Sequence, residues 1–258
     1  MSVYTNGEEG TIEPTQVRRN IRVSSQKLTD SIESSVAEIA LEPPDSGDFH
    51  EVFVVPDNSG DVAVLLGDVT GHGAPAAAKA QTIRSEVISH LKAGDTPLEA
   101  VQAANQVSQS SDDRFSTLFV AKISDRSGTV TYANAGHEPP HITEPNGSIT
   151  ELKTTGPPLG VVPPGIDAFE QEGTYIPPGG TLVVNTDGVT EARKPDESKP
   201  TFFGHERLKP ILVRLRKSPP ARTIMAVVHN VLRFTRSVLS DDIVVMAVRR
   251  RQRNKLIE

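Results

Sequence analysis

Four aspartates in this chain stand where a strand signal meets a turn: Asp48 after Ser46-Gly47, Asp68 after Gly67, Asp187 before Gly188, and Asp241 before Asp242. Each alone reads as a turn residue, because Asp readily bonds its own backbone in turns. Four in comparable places, in a chain rich in hairpin signals, read as a set. Carboxylates gathered at one spot repel one another and rise in pKa unless a cation is present. Oxygen-only clusters suit hard, octahedral ions, and two such ions sharing a water generate hydroxide near neutral pH. The chemistry expected of Asp48, Asp68, Asp187 and Asp241 is therefore that of a pair of divalent metals.

The elements that must carry these residues follow from the same pattern. Val62 to Leu66 is an apolar strand ending in Gly67-Asp68, and a loop with Gly71 and Gly73 leads to Pro75, which suits the first turn of a helix. Ala76, Ala80, Ile83, Val87 and Leu91 form one apolar stripe, and Gly94 ends that helix. Thr96-Pro97-Leu98-Glu99 is a capping box opening a second helix to about Gln109. Upstream, strands are expected at Val36–Leu41, stopped by Pro43-Pro44, and at Val52–Val55. The turn Asp57-Asn58-Ser59-Gly60 makes Val62–Leu66 the hairpin partner of the latter. Downstream come strands at Ser116–Ile123, Thr129–Ala133, His141–Thr143, Ile149–Leu152, Phe169–Tyr175 and Thr181–Thr186. Residues 192 to 206 read as a surface flap. Helices are expected at Glu206–Lys217 and Pro219–Val238, the second capped by Ser218, and a last strand at Ile243–Val248.

Hairpins dominate and strands do not alternate with helices, which argues for antiparallel sheets with helices packed outside. Residues 1–31 are expected to be an N-terminal tail with a short helix marked by Val17, Ile21 and Leu28. Residues 32–250 form the domain, and the run from Arg249 leads into a basic, solvated tail at 251–258. The 258 residues suffice for a sizeable core. A net charge of −6 argues against nucleic-acid binding. Cysteine is absent, which removes disulfides and thiolate metal sites. No apolar run reaches the roughly 18 residues of a membrane span, and Met1–Gly10 lacks a signal-peptide pattern, so a cytoplasmic protein away from membranes is expected.

Two rival motifs fail on context, and two more are absent. His137-Glu138-Pro139-Pro140-His141 matches HExxH as a string, but two prolines forbid the helix that zinc chemistry needs. Gly71 to Ala76 imitates GxGxxA without a following βαβ pattern. Neither GxxxxGK[ST] nor GxSxG occurs. His50, His90, His205 and His229 read as surface or packing residues.

Six strings in order, Ser46-Gly47-Asp48-Phe49, Gly67-Asp68-Val69-Thr70-Gly71-His72-Gly73, Tyr132-Ala133-Asn134-Ala135-Gly136-His137, Pro158-Leu159-Gly160, Asn185-Thr186-Asp187-Gly188 and Asp241-Asp242-Ile243, resemble the PPM-type (type 2C-like) serine/threonine phosphatases. The branch they resemble is that of stage II sporulation protein E and the Rsb-type stress-response phosphatases, over roughly residues 32 to 250. The resemblance implies an α+β fold, an αββα sandwich of two antiparallel sheets flanked by helices, with two Mn²⁺ or Mg²⁺ ions between the sheets. It implies that Asp68 bridges both metals, that Asp187 and Asp241 hold one, and that Asp48 and the Val69 carbonyl hold the other. Asp242, Thr70 and His72 would support these ligands from behind, and a metal-bridging hydroxide would attack the phosphoserine phosphorus.

One departure bears on His72. The eukaryotic type 2C string DGHGG has His two residues after the bridging Asp, where this chain has Thr70, so general-acid and loop-shaping roles for His72 both stay open. The implied substrate is a phosphorylated anti-anti-sigma (STAS-domain) regulator in a partner-switching pathway. The rival reading is a catalytically silent module that binds such a regulator, and a small-molecule phosphatase is a third. Any regulation is expected to come from a partner or from rearrangement near the helices at 75 to 109.

Overall fold

The computed structural model describes residues 21–41, 45–57, 59–111, 114–163, 166–195 and 199–252. Eleven described strands form two sheets. The first holds β1 (Ile21–Lys27), β2 (Ile32–Ile39), β11 (Ile243–Arg250), β10 (Thr181–Asn185), β7 (His141–Thr143) and β8 (Ile149–Glu151), in that spatial order. The second holds β3 (Asp48–Val54), β4 (Val62–Val69), β5 (Ser116–Ile123), β6 (Thr129–Ala135) and β9 (Glu172–Tyr175). Every pairing between these strands is antiparallel.

Strand periodicity explains why these sheets stack. On β4, Val62, Val64 and Leu66 face the second sheet's partner across the sandwich, and on β11 Val244, Met246 and Val248 face back. The alternate residues of β4, Ala63 and Leu65, face helices α1 (Ala74–Ala93) and α2 (Pro97–Ser111). The alternate residues of β11, Val245 and Ala247, face α4 (Gly204–Leu215) and α5 (Pro220–Phe234). A central strand buried on both faces must be apolar throughout, which is why β4 and β11 read as continuous apolar runs. The result is the expected αββα sandwich.

The helix signals hold. Ala76, Ala80, Ile83, Val87 and Leu91 of α1 are buried, and Gly94 caps it in the left-handed region at φ 99°. The Thr96 backbone N–H donates to Glu99 Oε2 at 2.8 Å and the Glu99 N–H donates to Thr96 Oγ1 at 3.3 Å, the reciprocal bonds of a capping box.

Four expectations are corrected. Ile21–Lys27 is a strand rather than a short helix, paired with β2 from Ile21↔Ile39 to Lys27↔Glu33, so the sheet starts before residue 32. The four- and seven-residue apolar spacing is coincidental, since β1 is an edge strand exposed along most of its length; Val17 lies outside the described residues, as do Pro43 and Pro44. Ser218 does not cap α5. Pro219 occupies the cap position without a side-chain bond, while the Ser218 N–H closes α4 by donating to Leu215 O at 2.7 Å. That helix also stops at Phe234, because Arg236 and Ser237 take positive φ of 53° and 63°. Finally, Arg249 and Arg250 are strand residues rather than the start of a solvated tail. Arg249 donates to Ser218 O, and Arg250 donates to Tyr175 Oη at 3.0 Å and Ile176 O at 3.1 Å. The tail beyond 252 and the stretch 1–20 lie outside the described residues. No helix among the described residues is long and apolar enough to cross a membrane.

Candidate metal centre

The four aspartates meet at one end of the sandwich. Strand register places Asp48 directly opposite Asp68 on the β3–β4 hairpin. Asp68 shares the face of Val62, Val64 and Leu66, so its carboxyl enters the space between the sheets just beyond their apolar contact. From the other sheet, β10 ends at Asn185 and Asp187 opens a single helical turn, α3 (Asp187–Thr190), while Asp241 and Asp242 lead into β11. Thr186 bridges the sheets: its hydroxyl donates to Asp48 Oδ2 at 3.2 Å and accepts from the Val244 N–H at 3.1 Å.

Two glycines allow this approach. A Cβ at Gly188 would lie 1.8 Å from Asp242 O, so only glycine lets α3 press against the entry to β11. A Cβ at Gly47 would lie 2.7 Å from Val69 O and 3.5 Å from Asp68 Oδ1. The Val69 carbonyl and the Asp68 carboxylate thus look onto one small space that a side chain would fill.

The carboxylates sense each other. Burial, then the charges of Asp68, Asp242 and Asp241, push Asp48 well above the usual carboxylate range. Burial, then Asp187, Asp241 and Asp242, push Asp68 up to about 7. Burial and then Asp187 push Asp241 up to about 6, and burial raises Asp187. Among the described residues no three His, Cys, Asp or Glu side chains already stand as a ligand set, so the acids share a field without closing on a common point. An oxygen-only cluster whose members hold one another above their normal pKa fits divalent cations such as Mg²⁺ or Mn²⁺, which would relieve the repulsion.

Around this cluster, Asp242 is held by local bonds: Oδ1 accepts from the Leu41 N–H at 2.7 Å and Oδ2 from Ser46 Oγ at 2.5 Å. That anchors the loop entering β3, since Ser46 Oγ also accepts the Asp48 N–H at 3.1 Å. Thr70 turns toward β5, where its N–H and hydroxyl both donate to Phe115 O, at 3.1 and 3.0 Å. It fixes the loop carrying the Val69 carbonyl. His72 is exposed between Gly71 and Gly73, whose φ values are 93° and 78°.

His137, Asn134 and Glu191 also converge here. His137 is buried and shares a 2.8 Å hydrogen bond with Thr117, the β5 residue opposite Asp68 in register. Burial holds its pKa down to about 3, so it stays neutral. Asn134 clamps it locally, accepting the His137 N–H at 2.8 Å. Glu191, one residue beyond α3, is raised by burial and by Asp187 and Glu138. Only the sequence DG-x-x-E hinted at this last residue, and its spacing alone carries no mechanism.

Two antiparallel sheets flanked by helices are the PP2C-type (PPM) sandwich fold. The crystal structure of the RsbU and RsbW domains of Rv1364c from Mycobacterium tuberculosis has this fold, with a TM-score of 0.75 and 23% identity over 88% of this chain and 62% of that one. Residues 58–251 match the family described as Stage II sporulation protein E (SpoIIE), and the chain belongs to that family. It is 32% identical over 237 residues to Protein IcfG of Synechocystis sp., covering 80% of this chain and 36% of IcfG. It is 27% identical over 209 residues to Phosphoserine phosphatase RsbU of Bacillus subtilis, covering 80% of this chain and 60% of RsbU. The chain therefore spans between about a third and three fifths of these relatives' lengths.

Proposed function

We propose that this chain is a metal-dependent protein serine/threonine phosphatase that hydrolyses phosphoserine or phosphothreonine. The observation that carries the reading is the placement of Asp48 opposite Asp68 on one sheet beside Asp187 and Asp241 from the other, where burial and these neighbouring charges raise Asp68. In this reading Asp68, Asp187, Asp241, Asp48 and the Val69 carbonyl would together hold the cations. When bound, a Mn²⁺ or Mg²⁺ pair supplies an activated water and neutralises charge on the transferring phosphoryl group. The protein's own part is positional. Thr186 and Ser46 orient Asp48, Asp242 ties its loop to β11, and Thr70 steadies the Val69 carbonyl. The substrate we infer is a phosphorylated STAS-domain anti-anti-sigma regulator; kinship with RsbU, whose name is that of a phosphoserine phosphatase, supports the phosphoserine part of this inference.

The test is phosphate release from p-nitrophenyl phosphate and from a phosphorylated STAS protein, with Mn²⁺ and with chelator, for the parent and Asp187→Asn. Chelator-sensitive turnover by the parent that drops at least about 100-fold in the variant is expected. Equal rates for the two proteins would replace this reading with that of a silent binding module.

A further inference from the structure

We propose that Glu138 is a positioning residue for Asp187, acting through Thr190, and that His205 fixes Glu138 in turn. This rests on the reading of Asp187 as a metal ligand.

Little holds α3 internally. It is four residues long and closed by short-range bonds, from the Val189 N–H to Thr186 O at 3.1 Å and from the Glu191 N–H to Asp187 O at 2.7 Å, and its cap residue Thr186 gives no side-chain cap bond, its hydroxyl accepting from the Val244 N–H instead. A single turn has too few bonds to stand alone. Its last residue, Thr190, is buried, and its hydroxyl donates to Glu138 Oε2 at 2.8 Å; the alternative acceptor, Asp187 O, is farther at 3.3 Å. A hydroxyl has one proton, so the shorter, charge-assisted bond wins. The far end of α3 is thereby tied to a residue 52 positions earlier in the chain.

Glu138 is well suited to anchor it. It lies on the β6–β7 connection, where Pro139 and Pro140 restrict the backbone. Its Oε2 is 3.3 Å from Nε2 of His205, the second residue of α4. The His205 ring lies against that of His141, with centroids 5.4 Å apart, and His141 pairs in register with Val183 of β10, the strand that delivers Asp187. His141 Nε2 is 3.5 Å from Glu151 Oε2, which Lys209 of α4 holds at 2.6 Å. Glu138 thus joins the β6–β7 loop, the turn carrying Asp187 and the start of α4. A carboxylate here adds repulsion toward Glu191, which a neutral acceptor would avoid; the position therefore carries a cost that packing alone does not require.

The experiment compares the parent with Glu138→Ala, Glu138→Gln, Thr190→Val, Thr190→Ser and the Glu138→Ala/Thr190→Val pair. Mn²⁺ binding is measured by calorimetry without substrate, beside the melting temperature. Partners of metal ligands are typically worth 10–100-fold in metal affinity, so Glu138→Ala and Thr190→Val should each weaken Mn²⁺ binding about tenfold. The double variant should be no weaker than either single, because both changes cut one tie. Glu138→Gln and Thr190→Ser keep an acceptor and a hydroxyl and should return within about threefold of the parent. Parental affinity in Thr190→Val, which conserves volume, or additive losses in the double variant, would overturn the inference while leaving the metal site standing. A parent that binds no Mn²⁺ would overturn both.

Discussion

Gly188→Ala separates folding from function at this site. In an ordinary helix the change is favourable, by about 1 kcal/mol, because alanine restricts the unfolded chain and propagates helix better. Here the new methyl would sit 1.8 Å from Asp242 O and 3.0 Å from the carbonyl carbon. Contacts under 3.0 Å essentially do not occur, so α3 and the entry to β11 must part by about 1.2 Å. Overpacking of this kind costs about 1–3 kcal/mol, which the helix gain partly offsets, leaving a net destabilisation of roughly 0–2 kcal/mol. The functional loss is larger, because the displaced elements carry Asp187 on one side and Asp241 on the other. Ligand constellations need to be held within about 0.5 Å, and a displacement of about 1 Å costs on the order of 100-fold in rate. The assay is Mn²⁺-dependent turnover of p-nitrophenyl phosphate, alongside urea unfolding. The expected result is a folded protein, within about 2 kcal/mol of the parent, with turnover down about 100-fold. A variant within threefold of parental turnover would refute the claim that the contact between Gly188 and Asp242 sets the ligand spacing.

Two further outcomes follow from the electrostatics. Asp68→Asn should raise the melting temperature without metal, by removing one of several mutually repelling charges, and should abolish the stabilisation that Mn²⁺ gives the parent; thermal melts with and without Mn²⁺ read both signs. His141, held down to about 4 by burial first and then by His205, binds fewer protons folded than unfolded. Its contribution is therefore intact above its ordinary pKa of 6.5 and declines as pH falls from there toward 4, by about 2 kcal/mol at pH 5. His141→Gln should flatten the fall in stability between pH 7 and pH 5 relative to the parent in urea titrations. The comparison with the parent matters, because Asp68 and Asp241 titrate in the opposite sense, favouring the folded state as they gain protons.

The hairpin carrying Asp48 and Asp68 was legible because its signals are local: a Gly-bearing turn, β-branched runs and a Gly-Asp ending. Helices α1 and α2 were legible for the same reason, through Pro75, Gly94 and the box at Thr96–Glu99. The strand at Ile21–Lys27 was not, because an exposed edge strand shows no alternation; its partner strand, rather than its own pattern, defines it. The turn α3 was not, because four residues carry no period. Within the site, the aspartates stood out by type, while Thr186, Ser46, Glu138 and Thr190 did not. Thr186 meets Asp48 across 138 positions and Ser46 meets Asp242 across 196, separations that local pattern does not encode. Hydroxyl residues are common enough that only their partners give them meaning.

The acids assigned to the cations in the proposed reading come from different leaves of the sandwich, Asp48 and Asp68 from one, Asp187 and Asp241 from the other. In that reading ion loading would act as a rivet at one rim of two stacked plates, beside the apolar contact and the polar ties, such as Arg250 to Tyr175 and Thr186 to Asp48, that already join them. Sliding one plate over the other at that rim would then loosen the rivet, so ion occupancy would report on strain between the plates there.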